Sequence, residues 1–253
     1  MIKINKLYYS PVKSLSFSNA KTLTILKNIG IKYDRNFAFT NNLDQEKIKN
    51  IIKNPDERKI FYFLSLKNYP ELNQYNFDLK KNILKLNFQD NTILKTDLNK
   101  EKEIESLCRK MEKLFLTIKK INFVRDSKNP FFDTMPSKTI SLINLSSIYD
   151  LEKKNNQQIE HQRFRGNIYV DGMKSWMERD LINQIISINN VRFRILKEIP
   201  RCSATNIKPK TSNYDLNIPQ MLKKNYNHIN MGIYLLPIDD GTITIDDQII
   251  LNE

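Results

Sequence analysis

The chain has 253 residues, 40% of them hydrophobic, so a folded globular protein is the expectation; its formal net charge of +13 reads first as a compositional bias without functional cause, against nucleic acid, an anionic ligand or an acidic partner. Two cysteines make neither a disulfide framework nor a paired zinc spacing, and no stretch reaches the roughly 18 uninterrupted apolar residues of a membrane span. Met1 to Leu7 holds no apolar signal core, and the positive charge is spread without a basic helix, an RNA-binding aromatic motif or zinc-finger spacing, so a cytoplasmic protein that binds neither membrane nor nucleic acid is expected.

Residues 2–9 alternate and stop at Ser10-Pro11, which predicts a first strand ending in a turn at Val12-Lys13-Ser14. A second strand-like run over 20–27 breaks at Asn28-Ile29-Gly30. Asp34-Arg35-Asn36 then interrupts the run Ile31, Tyr33, Phe37, Phe39, and taken alone reads as a surface ion pair. Residues 41–58 are polar, contain Pro55 and read as a long excursion. Residues 60–66 read as a compact apolar strand, and two short strands follow near 77–79 and 83–88. Residues 99–116 form the first clear helix, with Ile104, Leu107, Cys108, Met111, Leu114 and Phe115 on one face, which makes Cys108 a core side chain.

From about residue 121 the pattern changes. Pro130 and Pro136 bracket a loop that holds Asp133 and Thr134, ahead of the apolar run 140–143. Ser147-Ile148-Tyr149-Asp150 fits a capping box before a helix over 147–154, and such an N-terminus can hold an anion on its free N–H groups. His161 reads as a surface or strand-edge residue. Arg163 and Arg165 stand at i and i+2 before a strand over 168–170; read as extended, they point the same way and suit a phosphate. A helix over 175–188, with Trp176, Leu181, Ile185 and Ile188 inward, leads to an alternating run in which Val191, Phe193 and Ile195 oppose Arg192 and Arg194, the period of a half-buried strand. At its end, Pro200-Arg201-Cys202-Ser203-Ala204-Thr205 presents a thiol beside a fixed positive charge. Cation proximity favours the thiolate, the form that attacks electrophiles and ligates soft metals. Residues 208–224 are mostly loop with a short helical patch, and final strands over 231–236 and 242–245 join through Asp240-Gly241.

Four stretches, Tyr9-Ser10-Pro11-Val12-Lys13-Ser14, Asp34-Arg35, Arg163-Phe164-Arg165-Gly166-Asn167, and Arg201-Cys202 with Thr205 and Pro209 beyond, together resemble the MOSC-domain family preceded by its N-terminal β-barrel module. The resemblance runs from about Lys6 to Ile249. It implies a β-rich α+β fold, with an N-terminal β-barrel-like domain over 1–120 and a MOSC β-barrel with peripheral helices over 121–253. In style the chain is similar to the mitochondrial amidoxime-reducing component and its bacterial counterparts, so the implied cofactor is the molybdenum cofactor (molybdopterin). The resemblance makes Cys202 the metal ligand and catalytic residue. It makes Lys13, Ser14, Arg35, Asp133, Thr134, Ser147, Arg165, Asn167, Arg201 and Tyr234 the cofactor-binding set. Gly166, where many relatives have proline, and Asp246, in place of the glycine usual before Asp247, depart from the family pattern without removing a ligand.

The implied reaction is reduction of a small N-hydroxylated substrate. A four-cysteine iron–sulfur segment and a dinucleotide glycine fingerprint are both missing, so electrons are expected from a separate donor protein. The alternative is a non-catalytic carrier of cofactor or sulfur, with a persulfide on Cys202. A pyridoxal-phosphate cysteine desulfurase domain accompanies some MOSC domains, and a chain of this length is expected to have no room for one.

Overall fold

Along Val191–Pro200 every second side chain is apolar at first, and the structure buries Val191, Phe193 and Ile195 while Arg192 and Arg194 face solvent. In the structure, a computed structural model that describes residues 1–115, 119–132 and 138–251, this strand lies inside an eight-stranded sheet. The order is Ile249–Leu251, Ile185–Ile188, Val191–Pro200, Asn230–Pro237, Ile140–Asn144, Ile168–Asp171, Lys3–Tyr9, with the short Ser18–Ala20 at the edge. Ile140–Asn144 runs parallel to Ile168–Asp171, with Leu142 opposite Ile168, and the helix Leu145–Asn155 connects them. Lys3–Tyr9 closes on Ile168–Asp171 in antiparallel register, Lys3 opposite Asp171. Ile4, Leu7, Leu142, Ile168, Phe193 and Ile233 are among the side chains that fill the core on this sheet.

The chain forms two compact units that interleave along the sequence. One comprises Met1–Tyr9, Asn19–Lys32 and Lys138–Glu253; the other comprises Ser10–Ser18 and Tyr33–Ser137. The first unit also holds the three-stranded sheet Gly241–Thr244, Thr22–Leu26, Gly30–Ile31. The second holds the meander Tyr75–Lys80, Ile83–Phe88, Asn91–Asp97, the pair Phe37–Phe39 and Phe123–Arg125, and the helices Gln45–Lys53 and Glu101–Leu114. The class is β-rich α+β, as expected.

Several local expectations are corrected. The polar stretch 41–58 contains the helix Gln45–Lys53, because Asp44 Oδ1 accepts the Lys47 N–H at 2.7 Å and Ile48 and Ile51 bury one face. Residues 60–66 are not a strand: Ile60–Tyr62 is a 3-10 turn, and only Phe63 bridges to Thr40. The helix expected over 175–188 is the 3-10 turn Met177–Leu181 followed by the strand Ile185–Ile188. Asn183, at φ +71°, breaks the helical path between them, and Ile186 and Ile188 alternate into the core. The helix expected to start at Ser147 starts at Leu145, since Asn144 is the residue whose side chain accepts the Ser146 N–H.

Gly232 sits in Asn230–Pro237 at φ +78°, where an added Cβ would come within 2.5 Å of Leu142 O and of Ile143 Cδ1. Gly232→Ala is therefore expected to destabilise the protein by about 1–3 kcal/mol, read as a lower urea midpoint with an unchanged slope.

Candidate functional site

The strand Val191–Pro200 delivers Arg201 and Cys202 to its end. Arg201 is 9% exposed, and its guanidinium is bonded to backbone: Nε donates to Met231 O at 2.9 Å, Nη2 to the same oxygen, and Nη1 to Phe164 O at 2.9 Å. Its backbone N–H donates to Ile229 O at 2.8 Å. Burial pulls its pKa down to about 10, partly offset by the nearby Tyr234 and Tyr169 hydroxyls and Cys202 thiol, so it remains a cation at neutral pH. One N–H on each Nη has no partner among the described residues. Cys202, next in the chain, is exposed. Its carbonyl accepts the Thr205 N–H at 3.1 Å and the Thr205 hydroxyl at 2.8 Å, which folds the 3-10 turn Ser203–Asn206 behind it. The thiol itself has no hydrogen-bond partner among the described residues.

Arg163 and Arg165 do not lie side by side on an extended strand. His161–Phe164 is a 3-10 turn, and Arg165 caps it in a left-handed conformation, φ +48°. Arg163 is buried, bonded to Glu160 at 2.6 Å and to both Asp215 oxygens at 2.7 Å. Those two carboxylates occupy the guanidinium, so the expected phosphate grip is overturned for Arg163. Its Nη1 also reaches Asn206 O at 3.3 Å, which ties this turn to the turn behind Cys202. Arg165 is half-buried.

Asn167 is 1% exposed and braces three strands. Its Oδ1 accepts the Ser141 hydroxyl at 2.9 Å, its Nδ2 donates to Tyr8 O at 3.2 Å, and its N–H donates to Ser141 Oγ at 2.9 Å. Tyr234 stands opposite Ser141 in register. Ser141 carries no motif and was not legible as part of this group. The same holds for the aromatic cluster beside it: the Tyr8 hydroxyl is 2.8 Å from His161 Nε2, and the Tyr169 hydroxyl donates to His161 O at 2.8 Å and accepts the Gly166 N–H at 2.9 Å. Burial, with Lys6 adding to it, lowers the half-buried His161 to about 4, so the imidazole is neutral at physiological pH.

Ser147 belongs to a different network. It is fully buried, its hydroxyl donates to Glu178 Oε1 at 2.8 Å, and it accepts the Trp176 N–H at 2.8 Å. Asn144 Nδ2 donates to Glu178 Oε2 at 2.9 Å. Asp133 and Thr134 lie outside the described residues.

The remaining expected residues lie in the second unit. The turn at Lys13 docks on Phe37–Phe39: Lys13 N–H donates to Phe37 O at 2.8 Å and Phe37 N–H to Pro11 O at 3.0 Å. Lys13 is 4% exposed, with its ammonium 5.8 Å from the Phe63 ring centre; Ser14 takes φ +67°. Asp34 and Arg35 are not a surface pair. Asp34 is 1% exposed and accepts the Ser10 N–H at 2.8 Å. Arg35 Nη1 donates to its other oxygen, and the guanidinium lies 4.8 Å from the Phe17 and 5.0 Å from the Phe132 ring centres. Asn36 Oδ1, next in sequence, is buried with no hydrogen-bond partner among the described residues.

Residues 130–250 match the family model of the MOSC domain. That stretch is therefore a MOSC domain. Two curated relatives are molybdenum cofactor sulfurases: that of Caenorhabditis elegans is 29% identical over 119 residues, covering 46% of this chain and 16% of that protein. That of Caenorhabditis briggsae is 26% identical over 254 residues, covering 90% and 32%. The chain thus spans about a third or less of the length of these relatives. Among solved structures, the YUAD protein from Bacillus subtilis is similar at TM-score 0.45 and 12% identity, over 98% of this chain and 94% of that one. YiiM from Geobacillus stearothermophilus is similar at TM-score 0.35 and 16% identity, over 45% and 54%.

Two outcomes follow from the geometry. Iodoacetamide is expected to alkylate exposed Cys202 first, while Cys108, half-buried and raised to about 11 chiefly by burial, reacts only on unfolding; peptide mass mapping reads the order. Glu178 is raised by burial, with the Asn144 and Ser147 bonds opposing. Its contribution is then present below the carboxylate's unfolded pKa and lost as pH rises through the folded one. Glu178→Gln should flatten that decline and leave the protein more stable than the parent at neutral pH, measured as Tm against pH.

Proposed function

We propose that the MOSC domain binds the molybdenum cofactor through Cys202 and that the protein reduces N-hydroxylated compounds with electrons from a separate donor protein. The observation that carries the proposal is the exposed, unpartnered Cys202 thiol, set at a strand end by an arginine whose guanidinium is fixed to backbone carbonyls. The donor set suits the group: a soft sulfur for a metal already bound by sulfur, and cations for an anionic, phosphorylated pterin.

When bound, the cofactor supplies two-electron redox chemistry at its metal. The overall conversion is R–NHOH plus two electrons and two protons to R–NH2 and water; the N–O bond breaks and its oxygen leaves as water. Cys202 offers the thiolate. Arg201, fixed to Met231 O and Phe164 O beside Cys202, would supply a cation for the anionic cofactor. Arg165, half-buried with left-handed backbone, and Tyr234 would be further contacts to it. Asn167 and Ser147 act as struts, since their polar atoms are bonded inside the protein. Lys13, Ser14 and Arg35, along with Asp133 and Thr134, are proposed as further contacts on the strength of the motifs that carry them.

The names of the curated relatives favour a second reading, in which the chain handles the cofactor or its sulfur without turnover and Cys202 carries a persulfide. The readings separate on protein purified from a cofactor-competent host. Under the reductase proposal, molybdenum co-purifies, benzamidoxime is reduced with an artificial electron donor, and Cys202→Ala loses turnover together with most of the metal. Molybdenum retained at full occupancy with no turnover, and a persulfide on Cys202 by mass spectrometry, would favour the carrier. Metal retention unaffected by Cys202→Ala would sink the ligand role in both.

A further inference from the structure

Away from Cys202, the MOSC-containing unit holds a cavity of about 480 Å³ whose walls include Trp176, Met177, Lys174 and Arg179, a size that suits a small organic ligand. Trp176 is the chain's sole tryptophan. Its backbone takes φ +68° and ψ −1°, a left-handed conformation that a bulky side chain adopts only where its surroundings enforce it, and such enforced residues cluster at ligand clamps. The enforcement is visible. The Trp176 N–H donates to Ser147 Oγ at 2.8 Å and its Nε1 donates to Asp150 Oδ2 at 2.7 Å. Tyr226 packs against the indole with ring centres 4.2 Å apart and donates its own hydroxyl to the same Asp150 oxygen at 2.7 Å. The half-buried Trp176, held in place by these contacts, is one of the residues that line the cavity.

The polar groups decide the sign of the ligand. Glu198 also lines the cavity, but both of its oxygens are taken, one by Arg179 Nε at 2.6 Å and the other by the Asn230 amide. Arg179 Nη1 meets His228 Nε2 at 2.8 Å, which leaves Nη2 without a partner among the described residues. The Lys174 ammonium likewise has none among them. The groups left to meet a ligand are therefore two cationic donors and the Asp180 carboxylate, beside Trp176 and a half-buried Met177 that also packs on the core. Exposed Asp180 on the same wall opposes a second negative charge on the ligand.

We propose that this cavity is a binding site for aromatic monocarboxylates, the ring lying on Trp176 and Met177 and the carboxylate held by Lys174 and Arg179 Nη2. It is independent of the reading given to Cys202. The test is a titration with benzoate followed by tryptophan fluorescence, excited on the red edge of the indole band where benzoate is transparent; one tryptophan makes the signal specific to this wall. Benzoate should change the emission saturably, benzylammonium should not, and Lys174→Glu, an exposed change that leaves the fold intact, should weaken benzoate by roughly tenfold. Cys202→Ala should bind benzoate as the parent does. No saturable change with benzoate, a stronger response to benzylammonium, or equal benzoate affinity in Lys174→Glu each overturns the proposal. Isothermal titration of the same pairs guards against a silent fluorophore.

Discussion

A guanidinium taken out of water is the constraint on which the MOSC-containing unit turns. Removing a cation from solvent costs several kcal/mol even after relaxation, and Arg201 offsets that cost with the carbonyls of Met231 and Phe164. Those carbonyls belong to a neighbouring strand and to a 3-10 turn, so one side chain fixes three stretches of backbone against each other. Lysine, with a single point charge, cannot make the same forked contact. The thiol beside it is left in solvent because the arginine, and not the cysteine, carries the packing.

The same logic recurs in the other buried polar groups of this unit. Asn167 and Ser141 exchange four hydrogen bonds at the meeting of Lys3–Tyr9, Ile140–Asn144 and Ile168–Asp171, and Arg163 closes on Glu160 and Asp215. Ser147 and Asn144 satisfy Glu178, a buried acid without a salt bridge among the described residues. Buried polar groups left unbonded are costly; these are bonded, and they hold the turns that present Arg165 and Cys202 at fixed positions.

How much of this was legible in the sequence depends on range. The alternation of Val191, Phe193 and Ile195 gave the central strand, and the stripe of Ile104, Leu107 and Met111 gave the helix Glu101–Leu114, because both patterns are local and periodic. Arg201-Cys202 was readable as a pair, but the arginine's role was not: its acceptors lie 30 and 37 residues away. Arg163 and Arg165 misled for the same reason, since Asp215, 52 residues on, has no spacing that announces it. The helix read over 175–188 failed because Trp176 and Asn183 adopt left-handed backbone that apolar spacing cannot show. In the second unit, Asp34-Arg35 looked like solvent-facing charge until Phe17 and Phe132 were seen on either side of it.

The interleaving of the two units bears on how the chain comes to be folded. Lys3–Tyr9 has the nearby Ser18–Ala20 on one edge but meets its other neighbour only at Ile168–Asp171, and Lys3 and Ile4 also meet Asp246 and Asp247, far along the sequence. During synthesis, the edge of this strand that faces Ile168–Asp171 stays open until those residues have been made. Such long-range closure is slow and exposes strand edges to other chains in the meantime. Lys3 and Lys6, projecting from that strand among its apolar residues, put repulsive charge beside the open edge during the interval before Ile168–Asp171 pairs with it.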